Sequence, residues 1–435
     1  MVSPPDVAKP SPPPIAQFKR ALPFAISFAT VPLAIIGAVF GGWTVLLLPL
    51  FAWGLFDLLD LTVGLNTRNE DPETDEKDLF WFRLLTIVWA PVQFVLLFSL
   101  IAYASNTYHL DLVEKLVLFI GIGVVNGIIG IVYAHELIHQ KNRLERWLGD
   151  FLLAQVLYSH FRTEHLKVHH SLVGTPEDPV TARYNEDFHS YFQRVLVNGP
   201  QHAWETEVGV LKRAGLPPHS PKNPFWVYGA LQLFMVGLAL ALGGAQGLLL
   251  FLVQALVAIW QLELTNYVEH YGLTRRKLDD GSYEPVQPHH SWNSAHKASN
   301  WLLINLQRHS DHHYRPDRRY PLLQTYDADT APQLPYGYPL IAAWALVPRF
   351  WKSRMNPLVR EWRKKHYPDI TDWTPYNYAV GVAPVAATAP AAPESAPEPA
   401  PEPAPEPANE SAAPVAEAAA VTAGPVVAAE TESRT

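Results

Sequence analysis

The chain alternates between long apolar stretches and polar segments, a pattern that is typical of a helical membrane protein. Each apolar stretch is about 20 residues long, the length that an α-helix needs to cross the hydrocarbon core of a bilayer. The stretches cover residues 21–40, 43–64, 84–104, 116–138, 224–243 and 247–268. Several of them carry almost no charge, which disfavours buried helices of a large soluble enzyme. The pattern therefore predicts an all-α integral membrane protein with six transmembrane helices.

Glycines and basic residues indicate how these helices are arranged. Gly41-Gly42 and Gly243-Gly244 separate the first two and the last two apolar stretches, so each pair is predicted to form a helical hairpin. Nearly all Lys and Arg residues lie in the loops at 65–83, 139–223 and 269–435, and the opposite turns are almost free of them. Because basic residues concentrate on the cytoplasmic side, we expect both termini and these loops to be cytoplasmic, in a bacterial-type inner (plasma) membrane.

The two ends of the chain differ from its middle. Residues 1–20 are Pro-rich and are predicted to form a cytoplasmic segment, followed by a membrane domain over 21–370. Residues 383–435 repeat Ala, Pro and Glu without any aromatic residue, so this tail is predicted to be disordered. The tail holds eight Glu and one Arg, and the rest of the chain is close to neutral. That balance gives no reason to expect nucleic-acid binding.

The composition restricts the chemistry. The 435 residues include no Cys, which excludes disulfides, thiolate zinc sites and iron–sulfur clusters. Any redox reaction must therefore take electrons from another protein or from a bound cofactor. In contrast, the chain has 18 His, and His is the commonest metal ligand.

Four groups of histidines, which we name boxes one to four, are predicted to lie in a helical cap on the cytoplasmic side of the membrane. Box one is residues 135–139 at the end of the fourth apolar stretch, where the i, i+4 spacing places both rings on one helix face. Box two is residues 164–170, box three is 266–273 at the end of the sixth stretch, and box four is 306–313. Together they contain nine candidate metal ligands, namely His135, His139, His165, His169, His170, His270, His309, His312 and His313. Nine imidazoles suit two ions with four or five ligands each.

Carboxylates flank the boxes and could accept the second ring N–H of a ligand, which would fix its tautomer. The candidates are Glu136, Glu164, Asp178, Glu269 and Asp311, and for most of them this orienting role is the preferred interpretation over direct ligation or a solvated charge. An all-nitrogen shell is compatible with iron, copper or zinc, so the residue types alone leave the metal open.

The boxes resemble those of the integral-membrane alkane 1-monooxygenases, a branch of the membrane desaturase–hydroxylase group. The resemblance covers roughly residues 20–365, and it is supported by residues 175–179, 290–294 and 334–339. It implies two iron ions held by the nine histidines, and O2-dependent hydroxylation of the terminal methyl group of medium- or long-chain alkanes. It also implies rubredoxin and rubredoxin reductase as electron donors. One departure is Val168, where the family usually has Gly before the paired His.

Other functions compete with this one. A membrane zinc protease would use box one with Glu136 as general base, but it would leave seven histidines of the other boxes without a role. A fatty-acid desaturase or hydroxylase, an aromatic-methyl (xylene-type) monooxygenase, and a non-enzymatic metal-binding membrane protein are the remaining alternatives.

The second apolar stretch carries polar residues that bear on the site. Acids inside a membrane are costly and usually functional, so we expect Asp57 or Asp60 to face the site or a partner rather than lipid. An ordinary hydrogen bond within the helix bundle is the alternative. Trp53 either lines a substrate channel or is an ordinary packing or interfacial residue.

Overall fold

A computed structural model describes residues 13–377, which form helices joined by loops, with isolated β-bridges and no longer strand in this part of the chain. The helices in chain order are α1 (Pro14–Phe40), α2 (Gly42–Val63), α3 (Glu76–Asn106), α4 (Leu112–Ile138), α5 (Arg143–Ala154), α6 (161–172), α7 (Phe188–Arg213), α8 (Phe225–His270), α9 (Lys297–Leu302), α10 (His309–Tyr314), α11 (Tyr338–Ala345), α12 (Pro348–His366) and α13 (Thr374–Asn377). The predicted tail, residues 383–435, and most of the predicted N-terminal segment lie outside the described residues. The predicted domain boundaries stay predictions.

Five helices, α1 to α4 and α8, are long and apolar enough to cross a membrane. The helical composition and these five helices confirm the predicted all-α integral membrane class. The number of spans stays a prediction, because α8 alone has 46 residues. A straight helix of that length would measure about 69 Å, more than twice the thickness of a hydrocarbon core.

Glycines reverse the chain where the sequence predicts hairpins. Gly244 has non-helical dihedral angles inside α8 (φ 58°, ψ −149°). A Cβ built on Gly247 would lie 2.7 Å from the Ala239 carbonyl oxygen, so the two arms of α8 fold back against each other. Gly41 and Gly42 both have positive φ angles, 61° and 56°, between α1 and α2. Such angles favour glycine because it has no Cβ.

Helix α4 lies at the centre of the bundle, buried along most of its length between α3 and α8. Small residues allow its backbone to approach α8 closely. A Cβ added to Gly123 would lie 2.6 Å from the Val257 Cβ, and one added to Gly127 would lie 2.7 Å from the Gln261 Cβ. Small residues spaced four apart are a common means of helix contact in membranes. The contact places the ends of α4 and α8, which carry boxes one and three, side by side.

Buried amides connect the central helices. The Asn126 amide donates to Gln254 Oε1 at 2.8 Å, and the Gln254 amide donates to the Gln155 carbonyl at 2.8 Å. Polar groups inside a membrane bundle are stable only when they are paired, so these bonds favour one rotation of each helix.

Three helical stretches have π-type geometry, namely Leu50–Leu55, Asn126–Ile131 and Glu164–His169. A π-turn adds one residue to a turn and changes the direction of the side chains that follow it, and such turns are frequent at functional sites. The third stretch contains most of box two. Its histidines therefore do not follow the spacing of a regular α-helix.

Candidate metal centre

The nine predicted histidines come together in two adjacent clusters at the ends of α4 and α8. Cluster A contains His135, His139, His165, His170 and His312. Cluster B contains His169, His270, His309 and His313. The structure thus divides the nine rings into a set of five and a set of four.

Boxes two and four each contribute to both clusters. In α6, His165 and His170 belong to cluster A, whereas His169 belongs to cluster B. In α10, His309 and His313 share one helix face and belong to cluster B. The residue just before His313, His312, belongs to cluster A. Because each short helix contributes to both clusters, the two sites are held at a defined separation.

In cluster A the Nε2 atoms face one another. His165 Nε2 lies 3.0 Å from His139 Nε2 and 3.1 Å from His170 Nε2. His312 Nε2 lies 3.1 Å from His170 Nε2 and 3.0 Å from His135 Nε2. Four of these nitrogens lie within 4.8 Å of one another, and the fifth, His170 Nε2, adjoins those of His165 and His312.

Cluster B repeats this arrangement with four rings. His313 Nε2 lies 3.2 Å from His169 Nε2 and 3.0 Å from His309 Nε2. His309 Nε2 in turn lies 3.0 Å from His270 Nε2.

Hydrogen bonds between the rings cannot satisfy these contacts. A neutral imidazole Nε2 carries either one hydrogen or one lone pair, so it takes part in one hydrogen bond. Yet His165, His170 and His312 each have two Nε2 neighbours at 3.0–3.1 Å. A cation inside each cluster would accept every lone pair at once. With bonds of about 2.1 Å, ligand nitrogens at right angles are about 3.0 Å apart, whereas tetrahedral ligands are about 3.4 Å apart. Both clusters therefore have the donor set and the spacing of a metal centre.

The protonation states suit metal ligation. Six of the rings lie outside the membrane-spanning segments, and burial, reinforced by neighbouring histidines, lowers the pKa of each well below its usual value. These rings are His139, His165, His170, His309, His312 and His313. At neutral pH they are uncharged, which is the form that binds a metal ion.

Asp178 fixes the tautomer of one candidate ligand, as the sequence predicts. Its Oδ2 accepts a hydrogen bond from His169 Nδ1 at 2.9 Å, which leaves His169 Nε2 free to point into cluster B. The carboxylate also accepts from Thr181 Oγ1 at 2.7 Å and from the Val180 N–H at 3.1 Å. Burial alone would raise the pKa of Asp178, but His169 and these hydrogen bonds hold it below its usual value.

The other flanking acids divide into two groups. Glu269 Oε1 lies 3.4 Å from His309 Nδ1, so it stays close to a candidate ligand. Glu164 is buried, and its carboxylate lies near those of Asp178 and Glu263. Glu136 instead accepts hydrogen bonds from the Gln140 side chain and the Tyr320 N–H. For Glu136 the predicted orienting role is wrong, because its carboxylate faces the chain segment around Tyr320.

The orienting role is also wrong for Asp311. Its carboxylate accepts hydrogen bonds from Arg318 Nη1, the Tyr326 hydroxyl and the Gln324 N–H. These partners follow box four in the sequence, so Asp311 connects α10 to the loop that comes after it in the chain.

Val168 occupies an ordinary helical position. It lies in the π-helical stretch with a buried side chain, and it is not among the residues with positive φ. The backbone here does not require the conformational freedom of glycine, so the substitution does not by itself disturb box two.

Asn293 was not assigned a role from the sequence, although it lies in one of the stretches that support the resemblance. Its Oδ1 accepts from the Ser310 N–H at 2.9 Å, and its amide donates to Ser310 Oγ at 2.5 Å and to the Ser291 carbonyl. Ser310 follows His309 directly, so Asn293 holds the start of α10 in place.

A further histidine group lies outside the two clusters. His290 Nδ1 accepts a hydrogen bond from the Gln287 N–H at 2.9 Å, so a neutral His290 ring carries its hydrogen on Nε2. That nitrogen faces the Tyr367 hydroxyl at 2.9 Å and Glu284 Oε1 at 3.2 Å. The group is therefore a hydrogen-bonded network rather than a third set of free ligands.

A narrow apolar cavity lies among α2, α4, α8, α9 and α11. Its walls include Trp53, Ile128, Val268, Leu302, Leu303 and Tyr338. Val268 precedes His270 of cluster B by two residues. Trp53 thus lines a cavity, and its indole N–H donates to Gln261 Oε1 at 3.1 Å.

Asp60 is buried away from lipid and makes a hydrogen bond within the helix bundle, not with another protein. Its Oδ1 accepts this hydrogen bond from the Ser299 N–H at 2.9 Å in α9. Ser299 also lines the cavity, so Asp60 fixes one of its walls.

Comparisons with known proteins agree with this geometry. Residues 114–344, more than half of the chain, match the family described as fatty acid desaturase. The chain is 38% identical to alkane 1-monooxygenase 2 of Pseudomonas aeruginosa over 324 residues, which covers 74% of this chain and 85% of that protein. It is 39% identical to alkane 1-monooxygenase 2 of Alcanivorax borkumensis over 317 residues, which covers 71% and 81%.

A more distant relative has a different named substrate. The hydroxylase component of xylene/toluene monooxygenase from Pseudomonas putida is 26% identical over 274 residues, which covers 62% of this chain and 72% of that protein. The identity to the alkane enzymes is higher and extends over more of the chain. The protein therefore belongs to the alkane 1-monooxygenase family.

Proposed function

We propose that this protein is an O2-dependent di-iron monooxygenase that hydroxylates the terminal methyl group of medium- or long-chain alkanes to give primary alcohols. The observation that carries the proposal is the pair of imidazole clusters, five and four rings, together with an apolar cavity. The names of the most similar relatives supply the substrate class.

Iron fits the donor set better than zinc. The nearest Nε2 atoms are 3.0–3.2 Å apart in both clusters, closer to the spacing of right-angle ligands than to that of a tetrahedral shell. The nine histidines would hold two ions, His135, His139, His165, His170 and His312 one of them, and His169, His270, His309 and His313 the other. When bound, the iron pair supplies the activation of O2 and the oxidation of an unreactive C–H bond.

The protein's own residues perform the remaining tasks. The walls of the cavity, including Ile128, Val268 and Leu302, would exclude water and surround a linear apolar chain. Asp178 keeps the His169 ring in the tautomer that presents Nε2 to the metal. Specificity for an alkane follows from the scarcity of polar groups on the cavity wall.

Electrons come from outside the chain in this proposal. Without Cys, the protein has no ligands for a rubredoxin-type or iron–sulfur centre of its own. Rubredoxin, reduced by rubredoxin reductase, is the donor that we propose. We place the protein in the bacterial inner membrane with its termini and histidine boxes in the cytoplasm, because the basic residues concentrate in those segments.

The test is expression of the full chain in bacterial cells together with rubredoxin and its reductase. Cells are supplied with octane through hexadecane, with fatty acids, and with xylene, and the products are identified by gas chromatography. Primary alkanols are the expected products. Desaturated or hydroxylated fatty acids without alkanols would assign the protein to the desaturase side of the group, and methylbenzyl alcohol alone would favour the xylene-type enzyme.

A matched metal analysis tests the cofactor independently of turnover. The purified wild-type chain should contain about two irons, and a variant that lacks one ligand of each cluster, His312→Ala with His313→Ala, should lose both. About one zinc per chain, or two irons without O2 consumption in the presence of reductant and alkane, would contradict the proposal.

A further inference from the structure

The connection between α11 and α12 forms an exposed elbow of aromatic and apolar side chains. The Trp344 ring contacts Tyr336 at 5.2 Å and Phe350 at 5.1 Å between ring centroids. Tyr336 and Phe350 each expose 37% of their surface, and Val347, at the bend itself, exposes 55%. Exposed aromatic residues beside apolar ones are typical of the interface between a bilayer and water.

The elbow adjoins the membrane-spanning helices at the end where the metal centre lies. Helix α11 packs against α2 and α8, and the outward residues Leu58 and Leu61 of α2 expose more than half of their surface. On the next helix, the Trp351 ring packs against Tyr267 and Tyr271 at the end of α8, at 5.4 and 5.1 Å between ring centroids. The first turns of α12 are therefore at the level where the apolar part of the bundle ends.

The charges at the elbow are all positive. The sequence from residue 330 to residue 360 contains no Asp or Glu, and Arg349, Lys352, Arg354 and Arg360 lie within it. Arg349 and Arg354 are exposed and have no carboxylate within ion-pair distance in the described part of the chain. The Arg354 guanidinium lies 5.3 Å from the Phe350 ring centroid, so the charge and the aromatic surface are contiguous.

The nearby acids of α2 lie at the start of α11 and not at the bend, since Asp57 contacts the Leu340 backbone and Asp60 lies against Gly337. Lys352 attracts the carboxylate of Asp187 at the start of α7. That carboxylate also accepts hydrogen bonds from the N–H and the hydroxyl of Ser190. Arg360 donates to the Tyr184 hydroxyl at 2.8 Å. Glu361 is the first acidic residue of α12, almost two turns beyond Arg354.

We propose that this elbow binds the phosphate headgroups of anionic phospholipids in the leaflet next to the metal centre. Arg349 and Arg354 contact the phosphates, while Trp344, Val347 and Phe350 insert between the headgroups. Basic residues close to an anionic leaflet bind it by electrostatic attraction. Because Tyr338, Pro339 and Ala342 of α11 line the apolar cavity, the bound lipid also holds one wall of that cavity in position.

The test measures lipid binding directly and does not depend on the reaction. The full chain is purified in neutral detergent micelles, and binding of acyl-labelled phosphatidylglycerol and phosphatidylcholine is followed by fluorescence anisotropy. The wild type should prefer phosphatidylglycerol. The double variant Arg349→Gln with Arg354→Gln should bind phosphatidylglycerol about 20-fold more weakly and phosphatidylcholine equally well.

A matched control removes two exposed positive charges elsewhere. Lys277→Gln with Lys364→Gln changes the net charge equally, at a loop and about 15 Å further along α12, and should bind like the wild type. Raising the salt concentration from 0.15 to 1 M, which shortens the screening length from about 8 to about 3 Å, should reduce the preference of the wild type and leave the elbow variant almost unchanged. Metal content and thermal unfolding confirm that each variant is folded.

Three outcomes would overturn the proposal. They are equal affinity of the wild type for the two lipids, an unchanged affinity of the elbow variant for phosphatidylglycerol, and an equal loss in the control variant. None of these results bears on the oxidation of alkanes, so failure here is separate from failure of the proposed function.

Discussion

At the scale of single residues, the hydrogen bond from His169 to Asp178 is the clearest link between a charge and the metal centre. The carboxylate orients the ring and keeps the hydrogen on Nδ1. In Asp178→Asn, the amide is nearly the same size but is neutral, and it can rotate to offer a donor instead of an acceptor. We therefore expect metal affinity to fall about 10- to 100-fold.

That expectation is checked by titrating the purified apoprotein with ferrous iron under anaerobic conditions. Asp187→Asn is a matched control, since Asp187 caps α7 through Ser190 at a distance from both clusters. Wild-type affinity in Asp178→Asn would show that the carboxylate has no part in orienting the ligand.

Glu136 separates the proposed enzyme from a zinc protease. Its carboxylate faces Gln140 and the Tyr320 N–H, and not cluster A, to which His135 and His139 belong. The two bonds go to different carboxylate oxygens, and the single amide oxygen of Gln can keep one of them. Glu136→Gln should therefore keep most of the hydroxylase activity, within about threefold, with a loss of stability of about 1–3 kcal/mol. Alkanol formation per iron is the measurement. Complete loss of turnover with normal metal content would indicate that this carboxylate takes part in the chemistry.

The sequence identified the nine histidines but not their division into two clusters. The i, i+4 spacing in box one predicts a shared face, and His135 and His139 do share cluster A. In box two, His165 shares cluster A with His170, five residues on, and not with His169, four residues on, because the stretch has π-helical geometry. The local sequence pattern did not predict this geometry. The Glu136 carboxylate contacts Tyr320, which is distant in the sequence, and the Asp311 carboxylate contacts the loop that follows α10. The spacing of residues within the boxes therefore could not predict these contacts.

At the scale of helices, the close contact between α4 and α8 determines where boxes one and three meet. A Cβ at Gly123 would lie 2.7 Å from the Gln254 carbonyl oxygen as well as 2.6 Å from the Val257 Cβ, so even Gly123→Ala must push the helices apart. We expect this variant to lose about 1–3 kcal/mol of stability and part of its metal. Thermal unfolding in detergent and iron content measure the two effects.

Gly229→Ala is the matched control within α8. A Cβ at Gly229 meets no atom within 4 Å, so the variant should be as stable as the wild type. Equal stability of both variants would contradict the role assigned to the contact.

Length and hydropathy predicted the positions of these helices well, because both signals are local. The π-helical stretches and the helix contacts were not predicted, because they depend on partners distant in the sequence.

At the scale of the whole molecule, the apolar cavity lies among five helices, α2, α4, α8, α9 and α11. Trp53 of α2 forms part of its wall, and the stacked ring of Trp260, 6.4 Å away between centroids, does not line it. The side chain of Trp53 therefore occupies space on the cavity wall that a linear substrate could otherwise use. The sequence left two interpretations of this residue, and its position favours the substrate channel.

Replacing Trp53 with Ala should lengthen the cavity and shift the preferred alkane to a longer chain by several methylene groups. Each additional methylene buried on the wall contributes about 0.8 kcal/mol, enough to change the ranking of neighbouring chain lengths about fourfold. The measurement is the distribution of alkanols formed when cells receive an equimolar mixture of octane through hexadecane. Trp260→Ala removes an indole of the same size from the neighbouring position and should keep the wild-type distribution. The same shift in both variants would mean that loss of packing, rather than the length of the cavity, selects the substrate.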